Sequence, residues 1–218
     1  MKYDFEPHWL NSPGYIQAIV PDNVKEELIN TMNGIEDGTI KAEDNRPVGE
    51  RHLTKETKLP ITPKIKEFTE DLCYKYDEVF KGGDHLFWEY FHTSDHHRLK
   101  YDTKGLWMNH SYKHDFNPCH RHEGMFAFVI WVKIPYNLDD ELARNNGNSS
   151  MSSLFTFQWS NAKGMLRTAP LYVDKSWEWN IILFDAFLNH SVLPFYTSDD
   201  VRISIAGDIY ATMDGWQQ

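Results

Sequence analysis

Positive charge is scarce in this sequence. Lys and Arg number 22 against 32 Asp and Glu, a formal net charge of −10, and no basic run gathers the cations into a stripe. Neutralising nucleic-acid phosphates needs clustered Lys and Arg, so the balance argues against DNA or RNA as a partner. Cysteine is also scarce: Cys73 and Cys119 are the two, they sit in dissimilar contexts, and an intracellular chain of this size needs no disulfide. Both are read as free thiols. Long apolar runs are missing, since nothing approaches the roughly 20 residues that span a bilayer, and Met1–Glu6 lacks the apolar core of a secretory leader. A soluble, cytoplasmic chain with no membrane partner is the expectation. No Gly-rich phosphate loop and no internal repeat is present.

What the chain does have is aromatic mass, 15% of 218 residues, enough for one large domain with a real core. Tyr15–Val20 alternates as a strand and ends at Pro21. Asp22 or Asn23 is then placed to cap a helix over about Val24–Met32, closed by Gly34. Gly38–Pro63 carries charge and three prolines without either period and reads as a long surface loop. A second helix is predicted over Pro63–Phe80, with Ile65, Phe68, Leu72, Tyr76 and Val79 at spacings of three and four and Gly82-Gly83 as its stop. From residue 86 the texture changes to short aromatic and β-branched runs: Leu86–His92, Gly105–Lys113, Met125–Ile134, Leu154–Trp159, Gly164–Ala169, Trp177–Phe184 and Val201–Thr212. Strands at such spacing predict a mainly β sandwich or jelly roll, with residues 1–85 as an N-terminal support and 86–218 as the core.

Eleven histidines exceed ordinary need, and most are expected to be exposed or satisfied in the core. His8, His52, His85, His92, His96 and His97 carry no assignment, and His110 and His114 read as structural. The exception is Asn117-Pro118-Cys119-His120-Arg121-His122-Glu123-Gly124. Histidines at i and i+2 of an extended strand face one way, so His120 and His122 can converge on one metal. A third ligand must come from afar, and His190 offers itself after the apolar run Ile181–Leu188. Twelve residues later stands Arg202-Ile203-Ser204, whose guanidinium fork and hydroxyl, on one strand face, suit a carboxylate.

His-x-His, a strand, a distant His and then Arg-x-Ser resembles the 2-oxoglutarate/Fe(II) oxygenase superfamily. Asn117–Pro135 and Phe184–Tyr210 resemble more narrowly the small oxygenases of marine bacteriophage genomes and their prolyl-hydroxylase-like relatives. The resemblance covers the last 110 residues or so. It implies a double-stranded β-helix, Fe(II), 2-oxoglutarate and O2 as cofactor and cosubstrates, His120 and His190 as metal ligands, and Arg202 with Ser204 on the distal carboxylate of 2-oxoglutarate. The usual His-x-Asp or His-x-Glu tripeptide is absent. Register puts His122 where the acid would stand, which gives a three-histidine site, while a bulge at Gly124 would instead turn Glu123 inward. Asn109 and Tyr112, on the preceding strand, are candidates for lining the cosubstrate pocket, as is Trp131, and packing explains each equally well.

The implied activity is hydroxylation of a peptidyl or small-molecule C–H bond with decarboxylation of 2-oxoglutarate to succinate; the substrate is not legible. Gly38–Pro63 and Tyr136–Met151 are candidate lids. Two other classes compete: a cupin-type metal enzyme that does not use 2-oxoglutarate, and a non-catalytic jelly-roll binding module.

Overall fold

A computed structural model of the chain describes residues 4–8, 14–41, 54–80, 99–144, 151–161 and 163–213. In chain order its elements are β1 (Phe5–His8), β2 (Tyr15–Ile19), α1 (Asp22–Glu36), β3 (Lys55–Lys58), α2 (Pro63–Phe80), β4 (Leu99–Ser111), β5 (Asn117–His120), β6 (Phe126–Lys133), α3 (Leu138–Ala143), β7 (Phe155–Ser160), β8 (Leu166–Leu171), β9 (Asn180–Asp185), β10 (Asn189–Val192) and β11 (Arg202–Met213).

Strand alternation sets the layering. In β6, Phe126, Phe128 and Ile130 join one core cluster while Ala127, Val129 and Trp131 join another, so both faces of the strand are buried. β9 repeats the pattern, with Ile181 and Leu183 on one side and Ile182 and Phe184 on the other. A sheet apolar on both faces needs cover on both. Val24 and Leu28 of α1 with Ile65, Phe68, Leu72 and Tyr76 of α2 supply one cover. Phe155 and Phe157 of β7 supply the other.

The larger sheet is antiparallel in the order β1-β2-β9-β6-β11-β4-β3, and the smaller runs β5-β10-β7-β8. From β4 onward the chain weaves between them: β4, β6, β9 and β11 lie in the larger sheet and β5, β7, β8 and β10 in the smaller. Eight strands wound in this way are a double-stranded β-helix, or jelly roll, with the helices packed outside. β8 contains Pro170 and sits at a sheet edge, where a missing N–H costs no ladder bond.

The structure departs from the sequence reading at several places. The helix expected over Val24–Met32 starts at Asp22, directly after Pro21, with no side-chain cap, and continues through Gly34 to Glu36. Gly34 does not stop it. A Cβ there would stand 2.7 Å from Ile40 Cδ1, so the glycine admits the returning chain. Within the segment read as one surface loop, Lys55–Lys58 forms β3, paired with β4 at the edge of the larger sheet. β4, expected over Gly105–Lys113, already includes Leu99, Tyr101 and Thr103, which are buried between charged neighbours. The strand expected at Leu86–His92, the glycine stop at 82–83, His52, His85, His92, His96, His97 and the loop 145–150 lie outside the described residues. Cys73, buried, and Cys119, exposed, are both free thiols, and no described helix is long and apolar enough to cross a membrane.

Candidate metal centre

β5 and β10 are antiparallel neighbours, and His120 stands directly opposite His190. That cross-strand register brings their rings to 4.3 Å. His122 lies just past the end of β5 rather than on it, where its backbone N–H donates to Ala186 O at 2.8 Å. Its ring lies parallel to that of His190 at 4.9 Å and stacks on Trp107 at 5.5 Å. One nitrogen from each of the three histidines falls within 4.8 Å of the others.

Tautomers follow from the partners. His120 Nδ1 is 2.7 Å from Pro118 O and His190 Nδ1 is 2.9 Å from Leu188 O; a carbonyl only accepts, so both Nδ1 atoms carry the proton and both Nε2 atoms carry lone pairs. Burial pushes the His190 pKa well down, and the neighbouring His120 and His122 push it further. His120 is also lowered, first by burial, against the opposing Pro118 hydrogen bond. Neutral imidazoles are the ligand form. His122 Nε2 lies 3.1 Å from His190 Nε2, close to the roughly 3 Å that separates two nitrogens bound about 2.1 Å from one ion at right angles. Glu123 stays outside the trio; it is exposed, and its Oε2 is 3.4 Å from the Tyr210 hydroxyl. Gly124 beside it has φ +89°.

The histidines open into a cavity of about 280 Å³ between the sheets. On the β11 face, Arg202, Ser204 and Ala206 line it, and in register across β4 stand Ser111, Asn109 and Trp107. All of these positions but Trp107 are small or polar, which keeps the space from closing as an apolar core. Arg202 is 3% exposed. Its Nη1 donates to Ser153 O and Leu193 O, both at 3.4 Å, its guanidinium lies 5.3 Å from the Phe195 ring, and its Nη2 is buried without a hydrogen-bond partner. A buried cation is costly unless an anion meets it. Asn109 Oδ1 is likewise buried and unpartnered. Ser153, which cradles Arg202, holds a positive φ of 64°, a strained backbone at a site. Glu141, fully buried on α3, accepts from the Tyr196 and Thr197 amides and so pins the turn leading to Arg202.

Of the residues singled out by sequence, the cavity brings together His120, His122, His190, Arg202, Ser204, Asn109 and Trp131. Tyr112 is not among them; it follows the end of β4 and is 55% exposed, away from the cavity. His114 and His110 also lie outside its lining. Sequence reasoning missed Thr54, just before β3, and Glu56, on it, which line the wall, because the segment has no period to reveal a strand. It also missed Asp208, whose Oδ1 is 2.9 Å from His122 Nδ1. The signal was available, since Arg202, Ser204, Ala206 and Asp208 alternate along one face.

Residues 105–208, just under half of the chain, match the family described as 2OG-Fe(II) oxygenase. No curated protein matches. Among solved structures, a Pseudomonas putida prolyl-4-hydroxylase is 14% identical over 92% of this chain and 94% of its own, with TM-score 0.49. A Burkholderia pseudomallei 2OG-Fe(II) oxygenase-family oxidoreductase is 14% identical over 92% and 86%, TM-score 0.47. The viral collagen prolyl hydroxylase of Paramecium bursaria Chlorella virus-1 is 13% identical over 91% and 96%, TM-score 0.47.

Proposed function

We propose, from the premise that this chain belongs to the 2-oxoglutarate/Fe(II) oxygenase superfamily, that it hydroxylates a C–H bond of a peptidyl or small-molecule substrate. The observation that carries the reading is that one cavity is lined both by three neighbouring histidines and by a buried Arg202 whose Nη2 has no hydrogen-bond partner among the described residues. His120, His122 and His190 would hold Fe(II), and Arg202 with Ser204 would hold the distal carboxylate of 2-oxoglutarate. When bound, metal and cosubstrate supply the O2 activation that breaks the C–H bond, with 2-oxoglutarate leaving as succinate.

The protein's own part is positioning. The carbonyls of Pro118 and Leu188 fix the tautomers of His120 and His190, which leaves each Nε2 lone pair free for the ion the site would hold. Arg202 offers a forked, permanently charged donor that makes no ion pair among the described residues. The Asn109 amide, aimed into the same wall, adds a polar contact. Trp131 and Phe155, packed edge to face at 5.9 Å, give the cavity an apolar wall. The reading takes residues 1–218 as one catalytic domain acting in the cytoplasm, that of the host cell if the gene is phage-borne.

The test is incubation with Fe(II), ascorbate, 2-oxoglutarate and a panel of prolyl peptides and small aliphatic acids, read by succinate formation and product mass. Succinate with a product that has gained one oxygen atom supports hydroxylation. Succinate with a product that gains no oxygen leaves the family standing and removes the hydroxylase reading.

A further inference from the structure

The three imidazoles are not held alike. His120 and His190 each rest Nδ1 on the carbonyl of the residue two before them, Pro118 and Leu188. His122 has no such carbonyl, and its Nδ1 lies 2.9 Å from Asp208 Oδ1. That oxygen is buried and makes no hydrogen bond of regular geometry. Among the described residues no other carboxylate reaches ion-pair distance of the trio. The side chains are 11% and 19% exposed for His122 and Asp208, so water screens the contact weakly. Asp208 is held in place by the β11 ladder, opposite Gly105 on β4 and Ala127 on β6. A Cβ at Gly105 would stand 3.4 Å from Asp208 Oδ2, so the glycine leaves room for the carboxylate.

We infer that Asp208 is a positioning residue for the metal: it orients His122 and returns, one imidazole removed, the negative charge that a site of three neutral histidines lacks. The inference rests on the three-histidine reading of the metal centre. A carboxylate behind a ligating imidazole fixes which nitrogen carries the proton, aims the other at the ion and makes it more basic. Here the nitrogen that faces the carboxylate is Nδ1, and Nε2 lies 3.1 Å from His190 Nε2. The remaining departure from a His-x-acid sequence is thereby compensated from β11, six residues beyond Arg202 on the same strand face.

The experiment is anaerobic titration of metal-free protein with Co(II), whose visible d–d bands report ligand number and geometry, in wild type, Asp208→Asn and Asp208→Ala, with thermal melting of each metal-free form alongside. Wild type is expected to give a saturable spectrum. Asp208→Ala is expected to bind about 10- to 100-fold more weakly with altered bands, and Asp208→Asn, which keeps an acceptor for Nδ1 but no charge, to recover part of the affinity and the wild-type band shape. Both variants binding Co(II) with wild-type affinity and spectrum overturns the inference, and so does a loss of melting temperature with metal affinity unchanged, which marks a merely structural role. Wild type that shows no Co(II) spectrum at all overturns the metal reading itself.

Discussion

Replacing Arg202 by Met separates the two roles a buried arginine can have. The side chain is 3% exposed, and its protein contacts are weak: two 3.4 Å bonds from Nη1 to the carbonyls of Ser153 and Leu193, at the long end of the useful range, and a cation–π contact with Phe195. Nη2 has none. Against these stands a desolvation penalty of several kcal/mol for a buried ion. Met keeps most of the stem volume and removes the charge, so the metal-free, ligand-free protein is expected to melt at or above the wild-type temperature. The same change removes the partner of a buried carboxylate in the complex, a loss of ~2–5 kcal/mol, or about 30- to 5,000-fold in 2-oxoglutarate affinity. Arg202→Lys keeps a charge without the fork and should fall between. The assay is calorimetric titration of 2-oxoglutarate into the metal-loaded protein, with differential scanning of the apoprotein. Wild-type 2-oxoglutarate affinity in the Met variant would refute the assignment, and a large loss of apoprotein stability would show that Arg202 is a structural element instead.

Three further outcomes are expected. His122→Ala should abolish Fe(II) binding in equilibrium dialysis while Glu123→Ala spares it, and the opposite result would move the third ligand to Glu123. Asp77 is on the face of α2 that meets Tyr101 of β4, where burial lifts its pKa from 3.8 to about 7 against the pull of the Tyr101 hydroxyl that donates to it. The folded chain therefore keeps a proton that the unfolded chain loses above pH 4, and the stability this gives falls as pH rises from about 4 through about 7. Melting temperature should drop over that window by more in wild type than in Asp77→Asn, and parallel curves would contradict the argument. Gly207→Ala should destabilise by ~1–3 kcal/mol in denaturant melts, because its Cβ would stand 2.5 Å from Gly105 O and from the Phe128 ring; an unchanged midpoint would show that β4 and β11 can part there.

The jelly roll was legible because its central strands carry runs such as Phe126–Val132 and Ile181–Phe184, too apolar and too short for anything but strands buried on both faces. α2 was legible for the same reason at helical period, and Pro63, tolerated at a first helical position, marks its start. The histidine cluster could be read because His120 and His122 are near in sequence, whereas Asp208, although it continues the Arg202, Ser204, Ala206 alternation, was missed because its approach to His122 depends on how β11 of one sheet faces the end of β5 in the other. β3 and β10 are four residues each. Lys55-Glu56-Thr57-Lys58 is polar and forms a strand because the edge of β4 offers it a ladder, and Asn189–Val192 because β5 and β7 flank it. Tyr112 failed as a pocket residue because Trp107, Asn109 and Ser111 are the positions of β4 that face the cavity, so alternation puts 112 on the opposite face, and the strand ends at Ser111.

The central claim is that three histidines and Arg202 create one site for Fe(II) and 2-oxoglutarate together. The most direct measurement is anaerobic addition of Fe(II) to metal-free protein followed by titration with 2-oxoglutarate, watching for the weak visible charge-transfer band of a chelated keto acid. The account predicts a saturable band that is lost in His190→Ala and shifted to far higher 2-oxoglutarate in Arg202→Met. Fe(II) binding with no band at any 2-oxoglutarate concentration would contradict it and leave a metal site with a different cosubstrate.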